Sequence, residues 1–149
     1  MNEPGMGREL VVDTSVVVKF YLREPDSEKA DILWERFGRR DLRLVILDLV
    51  FPELVNIFWV KTAQGELLEE EANQRIGHFL RAARHMEIVS VRSILRETFQ
   101  LALVLGHAAY DVAFLAAAEF RDIQLVTADE KFYRKALRLT DRVVLLRNL

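Results

Sequence analysis

From Glu9 onward the sequence alternates short, apolar, β-branched runs with longer amphipathic segments, a pattern that suits parallel strands joined by crossover helices and little else. The runs Leu10–Val12, Leu44–Leu47, Glu87–Val91, Gln124–Thr127 and Arg142–Leu146 predict five strands. Between them apolar residues return at helical spacing, as Ala30, Leu33, Trp34 and Phe37 do within Ser27–Phe37. Further helices are expected over Ser15–Leu22, Leu49–Lys61, Glu69–Arg84, Ile94–Leu105, Asp111–Phe120 and Glu130–Leu137. The Leu49–Lys61 stretch is apolar almost all round, which predicts a buried helix, and Gly65 and Gly106 mark helix ends. The expected fold is therefore α/β, a three-layer α/β/α sandwich around a mostly parallel five-stranded sheet. The 149 residues contain no internal repeat and no linker, so one domain is expected over 9–149. Pro4, Gly5 and Gly7 precede any core residue, and 1–8 reads as a loose tail.

Composition narrows the functions open to such a domain. With 51% hydrophobic and 30% charged residues the chain can bury a core and keep a soluble exterior, which excludes disorder as its main description. It has no cysteine, so disulfides, thiol nucleophiles and thiolate metal sites are out, and a cytoplasmic location is expected. No apolar run approaches the ~18 residues that span a bilayer, and Met1–Arg8 lacks the basic start and apolar stretch of a signal peptide. Twenty-one basic against twenty-three acidic side chains give a net charge of −2, which neither demands nor forbids a nucleic-acid partner. Sixteen of the cations are Arg, grouped at Arg36, Arg39, Arg40 and Arg43 and again at Arg75, Arg81, Arg84, Arg92 and Arg96. Arg forks suit phosphate, though Arg-rich helices also serve as plain solvated faces.

Open parallel sheets bind ligands beyond the carboxyl ends of their strands, where strand order reverses. Four carboxylates are expected near such positions. Asp13 follows the first strand, with Thr14 and Ser15 opening a helix, and helix capping alone would account for it. Glu53 and Asn56 are the only polar residues between Leu49 and Val60 and share one helical face. A carboxylate in such apolar surroundings needs an Arg, hydrogen-bond donors or a metal ion, unless it only complements the helix dipole. Asp111 starts an Ala-rich helix and Asp129 lies two residues past Thr127 at the end of a strand, where capping again suffices for each alone. Together on one sheet edge the four would repel one another without a cation, and oxygen ligands favour a hard ion such as Mg²⁺ or Mn²⁺.

The segments Val11–Ser15, Asp48–Asn56, Tyr110–Ala116 and Thr127–Asp129, in this order and spacing, resemble the PIN-domain family and in particular its VapC-like toxin branch. The resemblance runs from about Leu10 to the C-terminus. It implies a metal-dependent endoribonuclease whose metal-binding acids are Asp13, Glu53, Asp111 and Asp129, with Ser15, Asn56 and Thr127 supporting them. It further implies a homodimer, an RNA substrate and a small antitoxin protein whose C-terminal segment covers the acidic site. Two positions depart from the family pattern: Leu47 stands where Pro often precedes Asp-Leu, and Ala108 where a small hydroxyl residue often precedes Tyr-Asp. Neither alters an acid.

Two other classes share this layering. A phospho-acceptor receiver domain needs adjacent acids after its first strand and a Lys at its last, but Asp13 is followed by Thr14, and Arg142–Leu145 holds no Lys. A catalytically silent PIN fold that only binds RNA or assembles complexes is disfavoured by the intact acid set.

Overall fold

A computed structural model describes residues 8–149. The remainder of the expected tail, 1–7, lies outside the described residues. Arg8 opens the first strand, one residue earlier than the tail boundary read from sequence, because its backbone pairs opposite Leu42.

The elements run β1 (Arg8–Val12), α1 (Thr14–Val17), α2 (Ser27–Gly38), β2 (Leu42–Leu47), α3 (Val50–Ala63), α4 (Glu69–Ala83), β3 (Glu87–Val89), α5 (Leu95–Leu105), α6 (Ala109–Arg121), β4 (Gln124–Thr127), α7 (Glu130–Ala136) and β5 (Val143–Leu145). All strand pairings are parallel and the sheet order is β3-β2-β1-β4-β5. The chain builds outward from β1 to β3, then returns through α5 and α6 to place β4 on the other side of β1. Strand order reverses there, between β1 and β4, so the crevice beyond Val12 and Thr127 is where this topology seats a ligand.

The three central strands are apolar on both faces, as a sheet covered by helices on each side requires. Val11, Val12, Leu44, Val45, Ile46, Leu47, Leu125 and Val126 are all fully buried. Helix α6 buries every residue from Val112 to Ala118. Four of those seven are Ala, whose small side chains let the helix lie close against β1, β2 and β4. Among the described residues no single helix is long and apolar enough to cross a membrane.

Several boundaries differ from the sequence reading. The helix expected over Ser15–Leu22 is a short α1 followed by a 3₁₀ turn at Val18–Phe20. The third strand stops at Val89, because Val91–Ile94 turns into a 3₁₀ segment that leads into α5. Helix α3 is not buried all round. Val50, Leu54 and Phe58 face the core, whereas Val55 and Trp59 are 46% and 66% exposed. An almost wholly apolar stretch hides this two-sidedness, since Glu53 and Asn56 alone are too few to mark the outer face.

Candidate active site

Asp13 stands at the carboxyl end of β1 and caps α1: its Oδ1 accepts from the Val16 backbone N–H at 3.2 Å. The cap reading of this residue holds, and its side chain makes further bonds. Oδ1 also accepts from the Ser15 hydroxyl at 2.5 Å, and Oδ2 accepts from the Thr127 hydroxyl at 2.5 Å. Each hydroxyl is itself fed by a backbone donor from the β4–α7 turn, Ala128 N–H to Ser15 Oγ at 2.9 Å and Asp129 N–H to Thr127 Oγ1 at 3.1 Å. Two donor chains thus run from the end of β4 into one carboxylate at the end of β1. In a buried setting such chains polarise along their length and fix the acceptor's orientation.

The other three acids arrive from different elements. Glu53 lies in the first turns of α3 and accepts from the Thr14 hydroxyl at 2.6 Å, which joins α3 to the residue after Asp13. Asp111 lies within the first turn of α6, not at its cap; Ala108 holds the cap position with no side-chain bond, so the capping role expected for Asp111 is absent. Its Oδ2 meets His107 Nε2 at 2.7 Å. Because α6 leads into β4 and runs back along it, the helix start falls at the same sheet edge as Asp13. Asp129 caps α7 by accepting from Phe132 N–H at 3.0 Å, the same arrangement as at Asp13. Its own N–H donates to Thr127 Oγ1, which places it one hydroxyl away from Asp13.

Ser15 and Thr127 therefore sit directly against Asp13. Asn56 is exposed on α3, one turn beyond Glu53, and makes no side-chain hydrogen bond among the described residues. Sequence reasoning missed Thr14 and His107. Thr14 adjoins a candidate acid, and its β-branched hydroxyl was absorbed into the cap; His107 stands four residues before Asp111, the spacing at which side chains meet on a helical turn.

Electrostatics sets Asp13 and Glu53 apart from the surface carboxylates. Burial pushes the Asp13 carboxyl up to about 6; the hydroxyls of Ser15 and Thr127 and the Val16 N–H pull it back, and the nearby Asp111 charge adds to the rise. Glu53 is also raised, first by burial and further by Asp111, against the Thr14 hydroxyl. Among the described residues, no Lys or Arg forms an ion pair with any of the four acids. The Arg partner considered for Glu53 is therefore absent from those residues. Among them too, no three His, Asp or Glu side chains stand close enough together to hold an ion as placed. Each acid is satisfied by a donor of its own element or its neighbour, and like charges without a counter-ion stay apart.

The raised Asp13 has a measurable consequence. Between about pH 4 and 6 the folded protein keeps a proton on Asp13 that the unfolded chain has released, so stability falls as pH rises through this window and then levels. The fall from this group is at most about 3 kcal/mol, from ~2 pH units at ~1.4 kcal/mol each. Denaturant midpoints in chelator-containing buffers from pH 4 to 7 should show it in the wild type. Asp13→Asn should flatten that part of the curve, and an unchanged slope in the variant would assign it to other groups.

Residues 10–137 match the family model described as PIN domain. The chain is 32% identical over 127 residues to ribonuclease VapC3 of Pyrobaculum aerophilum, an alignment that covers 85% of this chain and 94% of the relative. Its fold is similar to the crystal structure of PAE2754 from Pyrobaculum aerophilum, with a TM-score of 0.64 and 20% identity over 96% of this chain and 94% of the other. It is similar as well to the toxin–antitoxin complex from Klebsiella pneumoniae, with a TM-score of 0.62 and 15% identity over 92% of this chain and 97% of the other. A five-stranded parallel sheet of order β3-β2-β1-β4-β5, acids at the carboxyl ends of β1 and β4, and a family match over most of the chain lead to one conclusion: this protein belongs to the PIN domain family.

Proposed function

We propose that this protein is a metal-dependent endoribonuclease and the toxin of a toxin–antitoxin pair, acting in the cytoplasm on the phosphodiester backbone of RNA. Family membership and the ribonuclease relative support the activity, and the toxin–antitoxin neighbour supports a small antitoxin partner. A homodimer is part of the same reading. The observation that carries it is electrostatic: burial first, and the Asp111 charge in addition, raise the carboxyls of both Asp13 and Glu53, while no Lys or Arg among the described residues neutralises them. An all-oxygen donor set of this kind fits a hard divalent cation, Mg²⁺ or Mn²⁺, with Asp13, Glu53, Asp111 and Asp129 as its proposed ligands. Such an ion, when bound, supplies a low-pKa water and shields charge on the phosphate.

The chain's own residues do the positioning. Ser15 and Thr127 aim both oxygens of Asp13 along fixed directions, so the carboxylate reaches a cation without a rotameric search. Thr14 does the same for Glu53 from the adjacent backbone position. A side chain held this way loses little entropy on binding, which is what a preorganised site requires.

The test is cleavage of single-stranded and structured RNA by the purified protein, freed of any copurified partner. Expected is cleavage in Mn²⁺ or Mg²⁺, its loss on adding chelator, and products with 5′-phosphate and 3′-hydroxyl ends. Cleavage that persists in chelator, or none of any RNA with either ion, would overturn the proposal.

A further inference from the structure

His107 lies between the two helix starts that carry Asp111 and Asp129. Its side chain is only 10% exposed, its Nε2 stands 2.7 Å from Asp111 Oδ2, and its ring rests against Phe132 with centroids 5.2 Å apart and a tilt of 48°. Phe132 is fully buried, and the Asp129 carboxylate fixes its backbone N–H. The turn that carries His107 is held from the same side: Gly106 ends α5 with φ 59°, a left-handed conformation suited to Gly, and its carbonyl accepts from Lys135 Nζ at 3.1 Å. Helix α7 therefore meets this turn at two points, Phe132 against the imidazole and Lys135 at the Gly106 carbonyl.

An ionised carboxylate can only accept, so the Nε2 that meets Asp111 carries the proton. That bond occupies Oδ2. Oδ1 accepts no hydrogen bond among the described residues and is left free on the same carboxylate. We infer that His107 is a positioning residue for the metal centre, donating Nε2–H to Asp111 Oδ2 so that Oδ1 is presented to a divalent cation. The inference rests on the proposed metal-dependent reading, and its logic is that of histidine–carboxylate pairs whose outer partner orients a metal ligand. It also ties the site together physically: the cap at Asp129 seats Phe132, Phe132 backs His107, and His107 sets Asp111.

The test is calorimetric titration of Mn²⁺ into the purified chain, together with melting in chelator. His107→Phe keeps a ring against Phe132 and removes the donor, and should weaken Mn²⁺ binding by about 10- to 100-fold, the usual loss on deleting such a partner. Its melting temperature in chelator should stay near that of the wild type. His107→Gln, which can still offer an N–H, should recover much of the affinity; a purely structural role would not produce that order. Wild-type Mn²⁺ affinity in His107→Phe would overturn the inference and leave the nuclease proposal standing. So would equal weakening in Phe and Gln variants accompanied by lowered melting temperatures. Absence of Mn²⁺ binding by the wild type would instead remove the metal site and this inference with it.

Discussion

Replacing Asp111 by Asn is expected to lower the rate of RNA cleavage about 1000-fold or more while leaving the folded protein intact. The size follows from several kcal/mol of charge stabilisation lost with a metal-binding carboxylate, since ~4 kcal/mol corresponds to three powers of ten in rate. The fold should survive because Asp111 is no helix cap. Its one side-chain hydrogen bond among the described residues is with His107 Nε2, and the Asn carbonyl can accept that same N–H. Removing the charge also relieves the repulsion that adds to the effect of burial in raising Asp13 and Glu53. In metal-free buffer the variant should accordingly melt within a few degrees of wild type, the lost charge–dipole attraction at the helix start being worth only ~0.3–1 kcal/mol. Rates are to be compared under single turnover at saturating Mn²⁺, with melting measured in chelator. Undiminished cleavage by the variant would exclude Asp111 from the chemistry, and a collapse in melting temperature would make its role structural.

How much of this was legible in the sequence depends on which signal each element carried. The strands stood out because Leu44–Leu47 and Gln124–Thr127 are short, β-branched runs flanked by helical periodicity, and both lie where expected within two residues. The acids at Asp13 and Asp129 could be placed because a residue just after a strand and just before a helix has one location in a parallel sheet. What the sequence could not convey was direction in three dimensions. Val55 and Trp59 look the same as Leu54 and Phe58 in an apolar stretch, yet they face outward. The start of α6 was set two residues late because Asp111 resembles a cap, whereas the helix begins at Ala109 and the carboxylate turns back to His107. His107 is harder to single out, because its only signal in the sequence is the four-residue spacing to Asp111.

The largest effect on stability is expected from Phe132→Ala. Phe132 is a fully buried residue of α7, and truncating a ring in such a position removes its transfer free energy and leaves a cavity, about 3–5 kcal/mol in all. For a chain of this size that corresponds to a fall in melting temperature on the order of 10 °C. The same substitution at Phe120, whose side chain is 63% exposed on the last turns of α6, should cost within about 0.5 kcal/mol. Burial is the deciding variable, since the residue type and the change are identical. Phe132→Ala should also differ from Asp111→Asn in kind. It removes the wall behind His107 as well as core packing, so its activity loss should come with a lowered denaturant midpoint, whereas the loss in Asp111→Asn should not. Denaturant midpoints and cleavage rates from 10 to 40 °C on the three variants would separate the cases, and equal destabilisation at Phe120 and Phe132 would contradict the packing described for α7.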